Sequence, residues 1–143
     1  MERSLVLVKP DAVERGSSGA ILGRLESAGL KLVALKMLRM DRALAERHYA
    51  IHRGKPFFSA LIASITSGPI VAAVFEGEEA VNDIRTAMGA TDPAKAAVGS
   101  IRRDFGIDIE HNAVHGSDSL KTAESEIKLF FKDSEILDYK RVN

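Results

Sequence analysis

The chain of 143 residues has four histidines and no cysteine, so any covalent or metal chemistry must begin from imidazole, carboxylate, hydroxyl or amine groups. Of the histidines, His115 has the most suggestive surroundings. It closes a short β-like run, Asn112 to His115, and Gly116 follows, so the ring is expected to project from a sharp turn at an element end. Ser117-Asp118-Ser119 then opens a helix whose free N–H groups favour negative charge nearby. A neutral imidazole is abundant near pH 7 and is a competent nucleophile toward phosphorus. It needs a hydrogen-bonding partner to orient the ring and to stabilise the cation that forms. Glu126, on the following helix, is the nearest carboxylate in the right direction, and Ser117 is placed to hold either group. The same residues also suit a quieter arrangement, in which His115 packs and Asp118 and Ser119 only cap a helix.

A nucleophile for phosphorus needs a cradle for phosphate. The sequence has no Gly-x-x-x-x-Gly-Lys-Ser/Thr loop and no Gly-x-Gly-x-x-Gly, and Gly16-Ser17-Ser18-Gly19 reads better as a turn before a helix. Phosphate would therefore be held by side chains. Candidates are Arg85 before a long loop, Thr91 within it, Arg102 near its end and Lys9 at a strand terminus. Arginine offers a planar fork to phosphate oxygens and lysine a point charge, although any one of them also suits a solvated surface. Phe57 and Phe58 could stack on a base or fill a core. His48 and His52, and likewise His111 and His115, are four apart, a spacing that binds zinc on a helix. The second pair straddles a strand, and neither pair carries the glutamate of a metalloprotease motif, so no dedicated protein metal site is expected.

The elements that must position these groups follow from periodicity and punctuation. Leu5–Val8 is an apolar strand closed by Lys9-Pro10-Asp11. Ile21, Leu22, Leu25 and Ala28 mark a helix with Gly29 as its C-terminal cap, and residues 30–39 form a second strand. Asp41 caps a short helix through Tyr49; Pro56 opens another with Phe57, Leu61 and Ile65, stopped at Gly68-Pro69. Residues 70–75 form a third strand, followed by a helix carrying Ala80, Val81, Ile84 and Met88. Residues 89–108 read as a long, mostly irregular loop of the kind that carries function. Ser119 caps a last helix with Leu120, Ala123, Ile127 and Phe130, and residues 132–143 form a charged, peripheral tail. Strands separated by helices, without repeats or linkers, predict one domain over residues 1–143, an α/β or α+β sandwich with helices covering a sheet whose strand order periodicity does not give.

Apolar residues make up 45% of the chain and charged residues 28%, a soluble globular balance. Twenty basic and twenty acidic residues cancel, which gives no case for general nucleic-acid or membrane binding. No apolar run approaches the ~20 residues of a membrane span. Only four apolar residues separate Ser4 from Lys9, too few for a signal peptide, so a cytoplasmic location is expected.

Residues 112–119, Asn-Ala-Val-His-Gly-Ser-Asp-Ser, resemble the active-site segment of nucleoside diphosphate kinases, Asn-x-x-His-Gly-Ser-Asp-Ser. Val8-Lys9-Pro10-Asp11, His48-Tyr49, Lys55-Pro56-Phe57-Phe58, Thr66-Ser67-Gly68-Pro69, Gly89-Ala90-Thr91-Asp92-Pro93 and Ile101-Arg102-Arg103-Asp104-Phe105 look like that family's segments in its order and spacing. The resemblance implies that His115 is the phosphorylated histidine of a ping-pong phosphotransfer from a nucleoside triphosphate, typically ATP, to a diphosphate. Glu126 and Ser117 would orient it. Lys9, Tyr49, Arg85, Thr91 and Arg102 would surround the transferring phosphate, with Lys9 and Asn112 also touching the sugar hydroxyls. Phe57 and Ile109, with Leu61 beside them, would clamp the base without reading its edges, so base and sugar tolerance is broad. It also implies a ferredoxin-like βαββαβ core with a four-stranded antiparallel sheet, Mg2+ held mainly by the nucleotide's phosphates, and a homo-oligomer, a tetramer or hexamer built from dimers. Asp92, Val98, Ser100 and Arg103 depart from the family's usual residues, which bears on loop stiffness and assembly more than on chemistry. A non-catalytic nucleotide-binding or regulatory module on the same scaffold is the competing reading. It predicts loss of the histidine or its carboxylate, and both are present.

Overall fold

A computed structural model of the chain describes residues 1–142; Asn143, the last residue of the expected tail, lies outside them. Four strands, β1 (Glu2–Val8), β2 (Lys31–Leu38), β3 (Ile70–Gly77) and β4 (Val114–Gly116), form one sheet in the order β2-β3-β1-β4, every neighbouring pair antiparallel. The helices are α1 (Pro10–Glu14), α2 (Ser18–Ser27), α3 (Arg42–His48), α4 (Phe58–Ile65), α5 (Ala80–Met88), α6 (Ile101–Phe105) and α7 (Leu120–Phe130). This is the ferredoxin-like α+β arrangement, with α3 and α4 inserted between β2 and β3.

The apolar runs of β1 and β3 are unbroken because both faces of the sheet are covered. Leu5 and Leu7 of β1 join Ala72 and Val74 of β3 in one core, with Ile62 and Ile65 of α4 and Ile127 and Phe130 of α7. Val6 and Val8 turn the other way and meet Val71, Ala73 and Phe75, with Ile21 and Leu25 of α2 and Ile84 and Met88 of α5. Each fully buried Leu, Ile or Val contributes about 1.5–3 kcal/mol relative to exposure. The sheet centre is therefore the rigid platform on which Lys9 and His115 stand.

Local features differ from the sequence reading: α4 starts at Phe58, two residues after the Pro56 expected to open it. Pro10 stops β1 but also starts α1, because its fixed φ and missing N–H suit the first helical position. The stretch 89–108 is not mostly irregular: residues 93–95 form a 3-10 turn and α6 follows, capped by the Ser100 hydroxyl, which accepts from the Arg103 N–H at 3.3 Å. The charged tail lies at the surface but is pinned along the free edge of β2. The Leu137 N–H donates to the Val33 carbonyl (2.9 Å), the Tyr139 hydroxyl to that of Leu32 (2.5 Å) and the Arg141 guanidinium to that of Leu30 (2.9 Å). Val33 is skipped in the pairing of β2 with β3, where the register shifts between Leu32 and Ala34.

Candidate active site

His115 lies in the middle of β4, opposite Leu7 of β1, rather than at the strand's end. Gly116 is the third strand residue, and its requirement is close packing, not an unusual dihedral. A Cβ there would stand 2.7 Å from Met88 Cε and 3.1 Å from Ile84 Cγ2, so any larger residue would have to displace these buried side chains of α5. The strained residue is Ala113, just before the strand, with φ of 72°. Its N–H donates to Asp11 Oδ2 (3.1 Å) and its carbonyl accepts from the Lys9 N–H (2.8 Å), so both sides of this conformation are tied to the start of α1.

The His115 Nε2 is 2.9 Å from Glu126 Oε1, and the Ser117 hydroxyl donates to the same oxygen at 2.7 Å. An ionised carboxylate can only accept, so Nε2 carries the proton and Nδ1 carries the lone pair. Burial pushes the Glu126 carboxyl up, but the hydrogen bonds from His115 and Ser117, with the positive charge that His115 carries when protonated, outweigh it and hold the group below its ordinary range. α7 delivers Glu126 two turns from its start. That start is fixed by a capping box in which Ser119 and Thr122 exchange hydrogen bonds at 3.1 and 3.0 Å. Ser117 itself does not line the cleft; it stands behind Glu126, with its N–H on the Leu5 carbonyl (3.3 Å).

His115 and Glu126 open onto a cleft of about 1010 Å³ also lined by Lys9, Tyr49, Phe57, Leu61, Arg85, Thr91, Arg102, Ile109 and Asn112. The fold thus gathers residues from the β1–α1 junction, α3, α4, α5, α6, β4 and α7 around one space. At one end lie the cations. Lys9 is nearly buried and donates to Asn112 Oδ1 (2.9 Å) and the Glu110 carbonyl (3.1 Å); burial pulls its pKa below the usual ammonium value, opposed by Asp11. Asn112 in turn donates to the Thr91 carbonyl (3.0 Å), which links the loop to the lysine. Arg102 is anchored on the carbonyls of Gly89 (3.1 Å) and Val114 (3.0 Å), and burial, then the nearby Arg85, lowers its pKa. Arg85 is half exposed and bonds Asp118 at 2.6 Å. At the mouth, Phe57 and Ile109 are about half exposed, with relative exposures of 46% and 57%, and Leu61 of α4 lies beside them.

The residues that depart from the family's usual pattern each make a local contact or face solvent. Asp92 Oδ1 accepts from the Ala94 N–H (3.0 Å), Ser100 caps α6, Arg103 donates to the Ala94 carbonyl (3.1 Å), and Val98 is exposed.

Sequence spacing did not single out His48 as part of this site. At the end of α3 it is 95% buried, its ring 4.5 Å from that of His115 and 79° to it, with Tyr49 at 4.7 Å and Phe130 at 5.6 Å. Neither of its ring nitrogens has a hydrogen-bond partner, a condition that costs about 1–3 kcal/mol per buried group. Burial, then His115, pulls its pKa down to about 3, so the ring is neutral. Beside it, burial and the Glu126 charge push the Tyr49 phenol upward. The sequence signals for His48 were its place next to Tyr49 and its spacing from His52, and neither set it beside His115. The histidine pairs suggested by spacing do not form sites: His111 bonds Asp108 (2.9 Å), and His52 packs against Phe57 with ring centres 5.3 Å apart.

The family model for nucleoside diphosphate kinase matches residues 2–136. A nucleoside diphosphate kinase of Dehalococcoides mccartyi (strain BAV1) is 63% identical over 141 residues, 99% of this chain and 99% of that protein. One from Archaeoglobus fulgidus is 57% identical over 143 residues, 100% of this chain and 95% of that protein. Among solved structures, a halophilic nucleoside diphosphate kinase from Halobacterium salinarum in complex with CDP superposes with a TM-score of 0.95 at 51% identity, covering 98% of this chain and 93% of that one.

Proposed function

The chain belongs to the nucleoside diphosphate kinase family, and from that premise we propose that it moves the terminal phosphate through a covalent adduct on Nδ1 of His115. The observation that carries this is the Ser117–Glu126–His115 relay, which holds Nε2 and leaves the Nδ1 lone pair unshared. As a phosphotransferase acting on nucleoside di- and triphosphates, the protein must hold a phosphate chain in line with that lone pair.

The lone pair attacks the terminal phosphorus. A nitrogen–phosphorus bond forms as the bond to the bridging oxygen breaks, and the electron pair leaves with the diphosphate. No proton has to depart from His115. The ring becomes cationic and keeps its Nε2 proton on Glu126, which is where stabilisation is needed. In the second half, a terminal oxygen of another diphosphate attacks phosphorus and Nδ1 recovers its lone pair. Lys9, Arg85 and Arg102 neutralise the non-bridging oxygens, with Tyr49 and Thr91 at the border of that space. Arg85 must exchange Asp118 for phosphate when nucleotide enters. Lys9 and Asn112 contact the sugar hydroxyls. Phe57 and Ile109 clamp the base through area, with Leu61 beside them, which explains tolerance of purines and pyrimidines.

The donor set fits Mg2+ that arrives on the nucleotide. Of the carboxylates lining the cleft among the described residues, Asp118 is committed to Arg85 and Glu126 to His115, leaving Glu110. That suits an ion held mainly by the nucleotide's phosphates, which Glu110 would support, and not an all-protein cage. When bound, the ion withdraws charge from the transferring phosphoryl group.

The working form is a single-domain subunit spanning residues 1–143, assembled as a homo-oligomer of dimers, tetramer or hexamer. Support for assembly comes from Leu35 and Met37, which expose apolar surface on edge strand β2. Among the described residues no helix is long and apolar enough to cross a membrane; we assign the enzyme to the cytoplasm, where its nucleotide substrates are.

One cleft with one base clamp has room for one nucleotide at a time, so donor and acceptor must take turns. Initial velocities at several fixed acceptor concentrations should give parallel double-reciprocal lines. Intersecting lines, with isolated phosphoenzyme unable to phosphorylate a diphosphate, would replace the relay by a ternary complex.

A further inference from the structure

We propose that His48, His115 and Glu126 together form an inhibitory site for a borderline-soft divalent cation such as Zn2+, occupied only when His115 is unphosphorylated. Each of the three offers one ligand atom, and these atoms all lie within 4.8 Å of one another. A tetrahedral ion with ligands at about 2.0–2.1 Å sets them roughly 3.4 Å apart. His115 and Glu126 are already closer than that, at 2.9 Å. Small rotations would therefore close the triangle around an ion.

The donor chemistry selects the ion. Two imidazoles and a carboxylate are the set that binds zinc with an open fourth position, whereas Mg2+ prefers oxygen alone. The second observation is His48 itself. It is 95% buried beside His115, and both its nitrogens lack partners. Nothing in the phosphotransfer described above uses either of them. A cation entering through the cleft reaches His115 and Glu126, whose side chains are 22% and 16% exposed, and finds His48 as the back wall. The spacing of histidines along the chain does not reveal this site, because it joins α3, β4 and α7 through the fold.

Occupancy is incompatible with catalysis by either route. An ion on Nδ1 of His115 takes the nucleophilic lone pair, and an ion on Nε2 displaces the orienting hydrogen bond to Glu126. This inhibition rests on His115 being the nucleophile; the binding site rests on geometry alone.

The test uses the full chain without magnesium or nucleotide, titrated with Zn2+ by calorimetry and with Co2+ by visible absorption. The expected result is one ion per chain and the intense visible bands of tetrahedral Co2+, with Zn2+ inhibiting phosphotransfer at the same concentration that binds. His48→Gln should weaken Zn2+ binding at least about 10–100-fold, the scale that loss of even an outer partner costs. His115→Gln, at the more open position, should do the same and guards against misfolding of the His48 variant. Protein phosphorylated beforehand with ATP and magnesium, then freed of both, should not bind the ion. Unchanged affinity in both folded variants, or equal affinity in phosphorylated and free protein, would overturn the proposal. Failure of ATP to phosphorylate a chain that still binds zinc through these residues would instead overturn the nucleophile assignment and leave the metal site standing.

Discussion

Replacing Glu126 tests how much of the reactivity of His115 comes from its neighbour. The carboxylate sits 2.9 Å from Nε2. Two unit charges at that distance, with an effective dielectric of about 20, attract by about 6 kcal/mol. That figure is a ceiling, because the glutamate side chain is 16% exposed and water takes over part of its role when it is gone. Orienting and acid–base groups are typically worth about 10²–10⁴-fold, or roughly 2.7–5.5 kcal/mol of barrier, which falls just beneath the ceiling. Glu126→Ala should therefore slow formation of the phosphoenzyme by about 10²–10⁴-fold. Glu126→Gln keeps an acceptor for Nε2–H and for Ser117 but removes the charge. Charge-assisted hydrogen bonds are about twice as strong as neutral ones, so this variant should retain about half of the effect on a logarithmic scale. Single-turnover mixing with ATP and magnesium, quenched and assayed for base-stable protein phosphate, reads the step directly. The loss should appear in kcat with little change in KM, since the cationic ring exists only after the nucleotide has bound. A wild-type rate in folded Glu126→Ala would refute the reasoning, and so would a loss confined to KM.

Two further outcomes follow from the framework around the site. Gly116→Ala should destabilise the protein by about 1–3 kcal/mol, because its methyl would collide with Met88 and Ile84; an unchanged denaturant midpoint would contradict this packing. At the far end of the sheet, burial pushes the Glu76 carboxyl up, but Arg3 (2.9 Å) and Lys31 (3.2 Å) more than offset it and hold the carboxyl below its ordinary 4.5. A depressed folded pKa contributes stability that is present above 4.5 and lost as pH falls through the lower folded value. The stability of wild type relative to Glu76→Gln should accordingly be largest at neutral pH and vanish in strong acid; a difference that does not change with pH would contradict the ion pairs.

The parts of the fold legible in the sequence were those with long or well-punctuated patterns. β1 and β3 announced themselves as unbroken apolar runs, and α7 through its Ser119 cap and apolar spacing. α1 and α6 did not, since each is five residues long, under two turns, and periodicity has nothing to repeat. The position of His115 within β4 was obscured by Ala113, whose left-handed backbone delays the strand and is not the residue type that usually marks such a conformation. The tail was read as charged and peripheral; its anchors are the backbone carbonyls of Leu30, Leu32 and Val33, invisible to side-chain patterns. At the site, the pairing of His115 with Glu126 and Ser117 could be read because all three lie within twelve residues. Lys9 and Asn112 are 103 residues apart and meet only through the sheet. Tyr49, Leu61, Ile109 and Asn112 entered through family resemblance alone. His48 was missed because a buried histidine next to a tyrosine has no signature until the fold sets it against His115.

The measurement closest to the central claim is the mass of the intact protein after incubation with ATP and magnesium. A single added phosphate is expected, stable in base, lost in acid, mapped to His115 and absent from folded His115→Ala. It should disappear when any nucleoside diphosphate is added, with the matching triphosphate formed in equal amount. An acid-stable adduct on Ser117 or Ser119, or no adduct in a preparation that still transfers phosphate, would contradict the account.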